Sequence, residues 1–411
     1  MQEPIFIQSG AKIKVVGCGG AGSNAVNRMV EHGIRGVEFA AVNTDAQHLE
    51  VCKAPTKIRI GERCTRGLGA GGRHEVGREA AEESLREIER LVEGSDMVFI
   101  TAGMGGGTGT GSAPVVAEAA KKAGALTIAI VTRPFDFEGT TRAQNAEEGI
   151  AELMPNVDTM VIVPNQKLFE ISSQSGRDIS MEEAFMVADS VLCNGVQAIA
   201  EVITMPGTIN LDFADVRSIM SDAGPAWMSI GRGEGEGRVM KAAQNAINSP
   251  LLTTSIQGAK GVLFNVVGNR SLSLQEVNEA AEFIRSQVDP DANVIFGVMI
   301  DDNLENSVRL TLIATGFTTP EAYIEETSDG FEYVDNYTES AKATRAMRSE
   351  TELDIPSFLR TQSSYGSRRV TTPSYSAQAS NPYSTSFSSY GSTYSVGRAY
   401  GQQAYTNRRA W

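Results

Sequence analysis

Residues 105 to 111 read GGGTGTG, five glycines and two threonines in seven positions. They lie between an apolar run, MVFITAGM, and a segment of helical character, SAPVVAEAAKKAG. Glycine accepts positive φ and lets a backbone amide approach an anion with no Cβ in the way, and threonine hydroxyls add donors. A purely structural turn has little use for five glycines, so Gly105, Gly106, Gly107, Thr108, Gly109, Thr110 and Gly111 point to a phosphate cradle. Ser112 is placed to cap the following helix, with Pro114 in its first turn, where the missing N–H is harmless. A second cluster, GCGGAGSNA at 17 to 25, ends another apolar run. Alone it fits a dinucleotide site, a mononucleotide site or a tight turn, and the later VNTDA supplies an acid, Asp45, that a dinucleotide's ribose would want. Together, two glycine loops at two strand ends argue for one shared phosphate site. The dipeptide Gly-Lys occurs nowhere in the chain, which excludes the lysine-bearing phosphate loop. Backbone amides and a bound Mg²⁺ are then left to compensate the charge.

Other reactive side chains read more plainly. In NLDFADVRSIM, Asp212 reads as a helix cap and Asp215 as an acid favoured at the positive helix end. Asp189 reads as an acid on a polar helix face and Phe185 as core. Cys18, Cys52, Cys64 and Cys193 are scattered, and His32, His48 and His74 show no metal-like spacing, so neither a disulfide framework nor a zinc site is expected.

Positioning these residues requires an α/β frame. IKVVGCG, VEFAAVN, MVFITAG, LTIAIVT and TMVIVPN are short, apolar and β-branched, each followed by a polar or amphipathic stretch. That order predicts a parallel sheet covered on both faces. From Met181 to about Ile203, apolar residues at 184, 185, 188, 191, 192, 199, 202 and 203 follow one helix face. Such a helix puts about 30 Å between Asp189 and Asp212. WMSIG, GAKGVLFNVVG, ANVIFGVMI and VRLTLIATG, with helices near 237 to 248 and 274 to 288, predict a second, smaller α/β domain. The expected organisation is a flexible start (1–11), a nucleotide domain (12–180), a central helix with an acidic loop (181–224) and the second domain (225–318).

The 411 residues include 41% hydrophobic and 21% charged residues, as in globular proteins. No apolar run approaches the roughly 18 residues of a membrane span, and the start lacks the basic-then-apolar order of a signal peptide. A cytoplasmic protein is expected. Its net charge of −14 disfavours general nucleic-acid binding. Residues 321 to 352 hold nine acids and three bases and read as a disordered acidic linker (319–352). In LDIPSFLR, at 353 to 360, Ile355, Phe358 and Leu359 fall on one helical face after Asp354, a pattern suited to docking in a groove. The last segment, 363 to 411, has seven tyrosines, five arginines and no acid, and cannot build a core.

GGGTGTG, with GCGGAGSNAV, AVNTDAQ, GLGAGG, TRPFDFEGTTR, VIVPNQKL, AFMVADSVL and NLDFADVRSIM in order, resembles the FtsZ family of tubulin-like cell-division GTPases over about residues 11 to 318. The resemblance implies a tubulin-like two-domain α/β fold joined by a long central helix. It implies GTP/GDP and Mg²⁺ as ligands, with Gly19, Gly20, Ala21, Gly22 and Asn24 lining the nucleotide beside Asn43, Thr44 and Asp45. Ala70, Gly71 and Gly72 would sit near the γ-phosphate, and Gly105 to Gly111 would wrap the phosphates. Pro134, Glu138 and Arg142 would lie at the ribose and phosphates, and Asn165, Phe185 and Asp189 at guanine. A carboxylate there accepts from guanine N1–H and N2–H₂, a donor pair adenine lacks. Many family members carry Asn then Asp where this chain has Asp189 then Ser190. Head-to-tail stacking would bring Asp212, Asp215 and Asn210 of one subunit to the nucleotide of the next, where they position the attacking water. LDIPSFLR resembles the family's partner-binding peptide, expected to meet membrane-tethering and regulatory proteins at the division site. The Tyr/Ser/Arg tail departs from the family pattern, and lateral filament bundling or anionic-surface contact is expected of it.

Overall fold

The computed structural model describes residues 10–174, 180–204, 212–249, 251 and 256–317. β1 (Ile13–Cys18) runs straight into α1 (Gly19–Glu31), and β2 (Val37–Asn43) leads to the short α2 (Ala46–Val51). β3 (Thr56–Arg59), α3 (His74–Glu83), α4 (Leu85–Val92), β4 (Met97–Gly103) and α5 (Thr108–Lys122) follow. Next come β5 (Leu126–Arg133), α6 (Thr140–Leu153), β6 (Thr159–Pro164) and α7 (Asn165–Gln174). α8 (Met181–Thr204) and α9 (Phe213–Met220) lead to β7 (Gly224–Glu234), α10 (Arg238–Ile247), β8 (Gly261–Gly268), α11 (Leu274–Arg285), β9 (Asn293–Ile300) and β10 (Ser307–Thr315).

The strands form one sheet in the order β3-β2-β1-β4-β5-β6-β7-β10-β8-β9. β1 to β6 are parallel throughout. β7 is shared: residues 224–226 pair in parallel with β6, and residues 227–234 pair antiparallel with β10. β10 is antiparallel to β8, which is parallel to β9. The chain order reverses direction across the sheet between β1 and β4, and in open α/β sheets ligands bind outside the strand C-termini at that point.

Strand alternation sorts the core into two layers. Ile13, Val15, Met97 and Phe99 face one side with Val26 and Met29 of α1 and Leu192, Val196 and Ile199 of α8. Val16, Val98, Ile100 and Ala102 face the other, with residues of α3, α4, α5 and α6. Burial on both faces is why these strands read as unbroken apolar runs. In the second half, Val239, Ala242 and Ala246 of α10 and Ala280 and Ile284 of α11 pack on Phe264, Val266, Leu310 and Leu312. Leu263 and Ile313, on the strands' other face, join the cluster of α8.

α8 differs from its sequence reading in one respect. It is the single helix among the described residues long and apolar enough to cross a membrane by length and composition, with a mean hydropathy of 1.3 over its most apolar window. Of that window 56% is buried inside the protein, because residues from both halves of the sheet cover it. Its apolarity belongs to the core. α9 ends at the N-terminal edge of the parallel strands: Thr159, the first residue of β6, donates from Oγ1 to Met220 O at 2.5 Å, and Thr315 Oγ1 donates to Ile219 O at 3.1 Å. β3 had no apolar signature to find, since three of its four residues are exposed.

Candidate functional site

Two helix N-termini meet at the β1/β4 switch point. α1 begins immediately after Cys18, an extended N-cap without a side-chain bond. α5 begins at Thr108 with Gly107 at its N-cap, five residues before the cap expected at Ser112. Ser112 is therefore inside the helix, its Oγ donating to Thr108 O at 2.7 Å, and Pro114 is interior as well. The glycine-threonine run is itself helical, and the first helical bond is Gly111 N to Gly107 O, 3.1 Å. The amides of Thr108, Gly109 and Thr110 are thereby left without intrahelical partners at the positive end of the helix. The two loops touch. Gly19 has φ +70°, and a Cβ there would stand 2.6 Å from Gly109 N. Thr110 Oγ1 accepts from Gly105 N at 2.9 Å, and the Thr44 and Thr108 hydroxyls are 2.6 Å apart.

Around these termini lies a pocket. Gly20 and Ala21 line it from α1, and Gly106, Gly107, Thr108 and Gly109 from the second loop and α5. Pro134 and Glu138 come from the segment joining β5 to α6, Arg142 from the first turn of α6, Asn165 from the start of α7, and Phe185 and Asp189 from α8. Gly20 and Gly106 have open space where a Cβ would point.

The remaining expected residues stand behind this lining. A Cβ on Gly22 would be 2.3 Å from Thr101 O, and one on Gly111 would be 2.0 Å from His74 O. These glycines allow α1 to meet β4 and α5 to meet α3. Asn43 and Thr44 are buried, and Asp45 caps α2 by accepting from His48 N at 3.1 Å. Asn24 is exposed on α1. Ala70 is buried against Gly107, while Gly71 and Gly72 are exposed. Asn145 of α6 holds this loop by donating to Gly72 O at 3.2 Å.

The α8 end of the pocket is an acceptor. Burial pushes the Asp189 carboxyl up from 3.8 to about 6, and Arg28 beside it pulls back. Arg28 Nε lies 3.4 Å from Asp189 Oδ2. Sequence reading missed Arg28, although Gly20, Asn24 and Arg28 at i, i+4 and i+8 mark one face of α1. Asn165 Oδ1 is buried without a partner, which is costly until a donor arrives. Phe185, 39% exposed, presents its ring edge-on to Phe135 and Phe137, centroids 5.3 and 6.4 Å away, and can still stack a base. Glu138 Oε1 accepts from Phe135 N at 2.9 Å, and its other oxygen pairs with Arg142. Burial raises the Cys18 thiol to about 12, so this lining cysteine is inert at neutral pH. Acceptors at one end and free amides at the other fit a base with adjacent N–H donors joined to a polyanion, which is guanine nucleotide chemistry.

Asp212 and Asp215 are exposed and do not line this pocket. Asp212 sits at the N-cap of α9 but its carboxylate makes no capping bond; the main chain alone links it to Asp215 N, 3.0 Å from Asp212 O. Among the described residues neither acid is ion-paired. α8 stops at Thr204, one residue past the end expected near Ile203, so the helix itself accounts for about 22 Å of the roughly 30 Å expected between Asp189 and Asp212. Asn210 lies outside the described residues, as do the linker at 319–352, the peptide at 353–360 and the tail at 363–411. No group of three His, Cys, Asp or Glu among the described residues could hold a metal ion.

Comparison with known proteins agrees with this geometry. Residues 12–173 match the Tubulin/FtsZ family GTPase domain, and residues 224–318 match the FtsZ family C-terminal domain. An empty FtsZ dimer from M. jannaschii is 50% identical, covering 80% of this chain and 93% of its own at a TM-score of 0.73. A point-mutant FtsZ of the same organism matches with 50% identity over 80% of this chain and 96% of its own, TM-score 0.73. At 21% identity, GDP-bound CetZ1 from Haloferax volcanii shares the fold, with 75% of this chain and 95% of its own covered at a TM-score of 0.64. The match of both domains in order, with half the residues shared across four-fifths of the chain, makes this protein a GTPase of the tubulin/FtsZ family.

Proposed function

We propose that the protein polymerises head to tail into filaments at the cytoplasmic face of the division site, and that GTP is hydrolysed between subunits. The observation that carries this reading is the separation of the two halves of the chemistry. The pocket opens at the C-terminal ends of the parallel strands. α9, which carries Asp215 and begins at Asp212, ends at the opposite edge. Both acids are exposed, and among the described residues neither is ion-paired, as a surface waiting for a neighbour would leave them.

In a stack, Asp212 and Asp215, with Asn210, meet the next subunit's nucleotide, where the carboxylates orient and polarise the attacking water. Asp189 and Asn165 accept from guanine, Phe185 stacks on it, and the first-turn amides of α1 and α5 hold the phosphates. Mg²⁺, when bound, would neutralise phosphate charge, drawing most of its oxygens from phosphate and water. The same surface on every subunit meets a different surface on the next, so the contact propagates as a filament. The M. jannaschii relative, described as a dimer, supports self-association. Partners that tether the filament to the membrane would engage residues 353–360.

The test is GTP hydrolysis against protein concentration for the wild type and Asp212→Ala, with filaments followed by sedimentation. Activity per molecule should rise above a threshold concentration in the wild type and fall at least a hundredfold in the variant while GTP still binds, the scale of losing a group that acts in the transition state. Constant activity per molecule down to dilute protein would mean that each subunit holds a complete site.

A further inference from the structure

His48 joins three of the polar residues around the pocket and has no role in the chemistry above. It lies half-buried in α2, with ring Nδ1 3.3 Å from Asn43 Nδ2 and ring Nε2 3.1 Å from Asn24 Oδ1. The direction of each bond is fixed from one end. The backbone N–H of Asp45 can only donate, and it donates to Asn43 Oδ1 at 3.3 Å. The Asn43 amide, 2% exposed, therefore turns its Nδ2–H₂ to the ring, and His48 Nδ1 must accept. A neutral imidazole that accepts at Nδ1 carries its proton on Nε2. His48 thus donates to Asn24 Oδ1, and the Asn24 Nδ2–H₂ is left to donate elsewhere.

Where that donor can act follows from α1. Gly20, Asn24 and Arg28 occupy successive turns of one helix face. Gly20 lines the pocket where the free amides are, and Arg28 holds Asp189. Exposed Asn24 stands between these two ends, level with the part of a nucleotide that joins phosphates to base. We propose that His48 is a positioning residue: its Nε2–H fixes Asn24 so that the Asn24 amide donates to the ribose oxygens of the bound nucleotide. This rests on the guanine-nucleotide reading of the pocket.

The chain has three histidines, His32, His48 and His74, so a nitrogen spectrum of the histidine-labelled protein contains three rings, assigned by single substitutions. His48 is expected as the tautomer with bare Nδ1 and protonated Nε2, and a ring protonated at Nδ1 overturns the proposal. Equilibrium binding of GDP supplies the functional arm. His48→Ala should weaken it about five- to tenfold, one hydrogen bond's worth, and His48→Gln, which keeps an N–H donor near the Nε2 position, should restore most of the loss. Combined with Asn24→Ala, His48→Ala should cost nothing further, whereas additive losses would show that His48 does not act through Asn24. Should His48→Ala melt early, the Gln variant and the wild-type tautomer still decide. A wild type that binds no guanine nucleotide overturns the pocket reading and the proposal with it. A wild type that binds GDP, with His48→Ala binding equally well, overturns the relay alone.

Discussion

At Asp189 two effects oppose each other. Burial raises the carboxyl to about 6, and Arg28 draws it down. The displacement from 3.8 is worth on the order of 3 kcal/mol. Because the folded carboxyl sits above its unfolded value, the native protein binds more proton there between about pH 4 and 6, and stability falls as pH rises through that window. Asp189→Asn should lack this slope. Guanine N1–H and N2–H₂ favour the ionised acid, so nucleotide binding should release up to about half a proton near pH 6 and almost none near pH 8. Calorimetry in two buffers of different ionisation enthalpy reads this directly, and equal release at both pH values would remove Asp189 from the base site. Sequence alone gave Asp189 as a polar-face acid, and its value as a site residue came from resemblance. The Arg28 pair was hidden because the partners are 161 positions apart, on helices that only the fold brings together. The His48 chain was hidden for the opposite reason: its members are close in sequence, but bond direction has no sequence signal.

Glycines that look alike in the sequence divide by the elements they serve. Gly111 lets α5 lie against α3, and a Cβ there would stand 2.0 Å from His74 O. Gly111→Ala should destabilise by about 1–3 kcal/mol, the usual cost of overpacking, seen as an earlier thermal melt. Gly106 faces open space at the pocket. Gly106→Ala should melt as the wild type does yet bind GTP more weakly; an early melt for this variant as well would mean that the loop is held by packing alone. The elements themselves were largely legible. Five parallel strands, the long helix and the four later strands were each carried by an apolar run or a helical period. What was not legible had no such pattern: exposed β3, and the start of α5, where glycines that disfavour helix are held helical by contact with Gly19 and α3. Propensity placed the cap at Ser112; packing moved it to Gly107.

On the scale of the whole molecule, the basic, tyrosine-rich segment 363–411 contrasts with a chain of net charge −14. If it links filaments side by side through acidic surfaces, removing it should leave GTP turnover intact and reduce bundling in sedimentation and microscopy, and added salt should mimic the deletion. Bundling unchanged by the deletion would leave the segment without that role. The strand that serves both halves of the sheet has its own consequence. β7 gives three residues to the ladder with β6 and eight to the ladder with β10. Twisting one half against the other therefore loads three rungs on one side of a covalent strand and eight on the other, and the compliance gathers at residues 224–226. That strand would act as a torsion bar, with α8, packed on both halves, sharing the load. In a filament of such subunits, curvature would be stored there, a little in each, as in a chain of weakly sprung links.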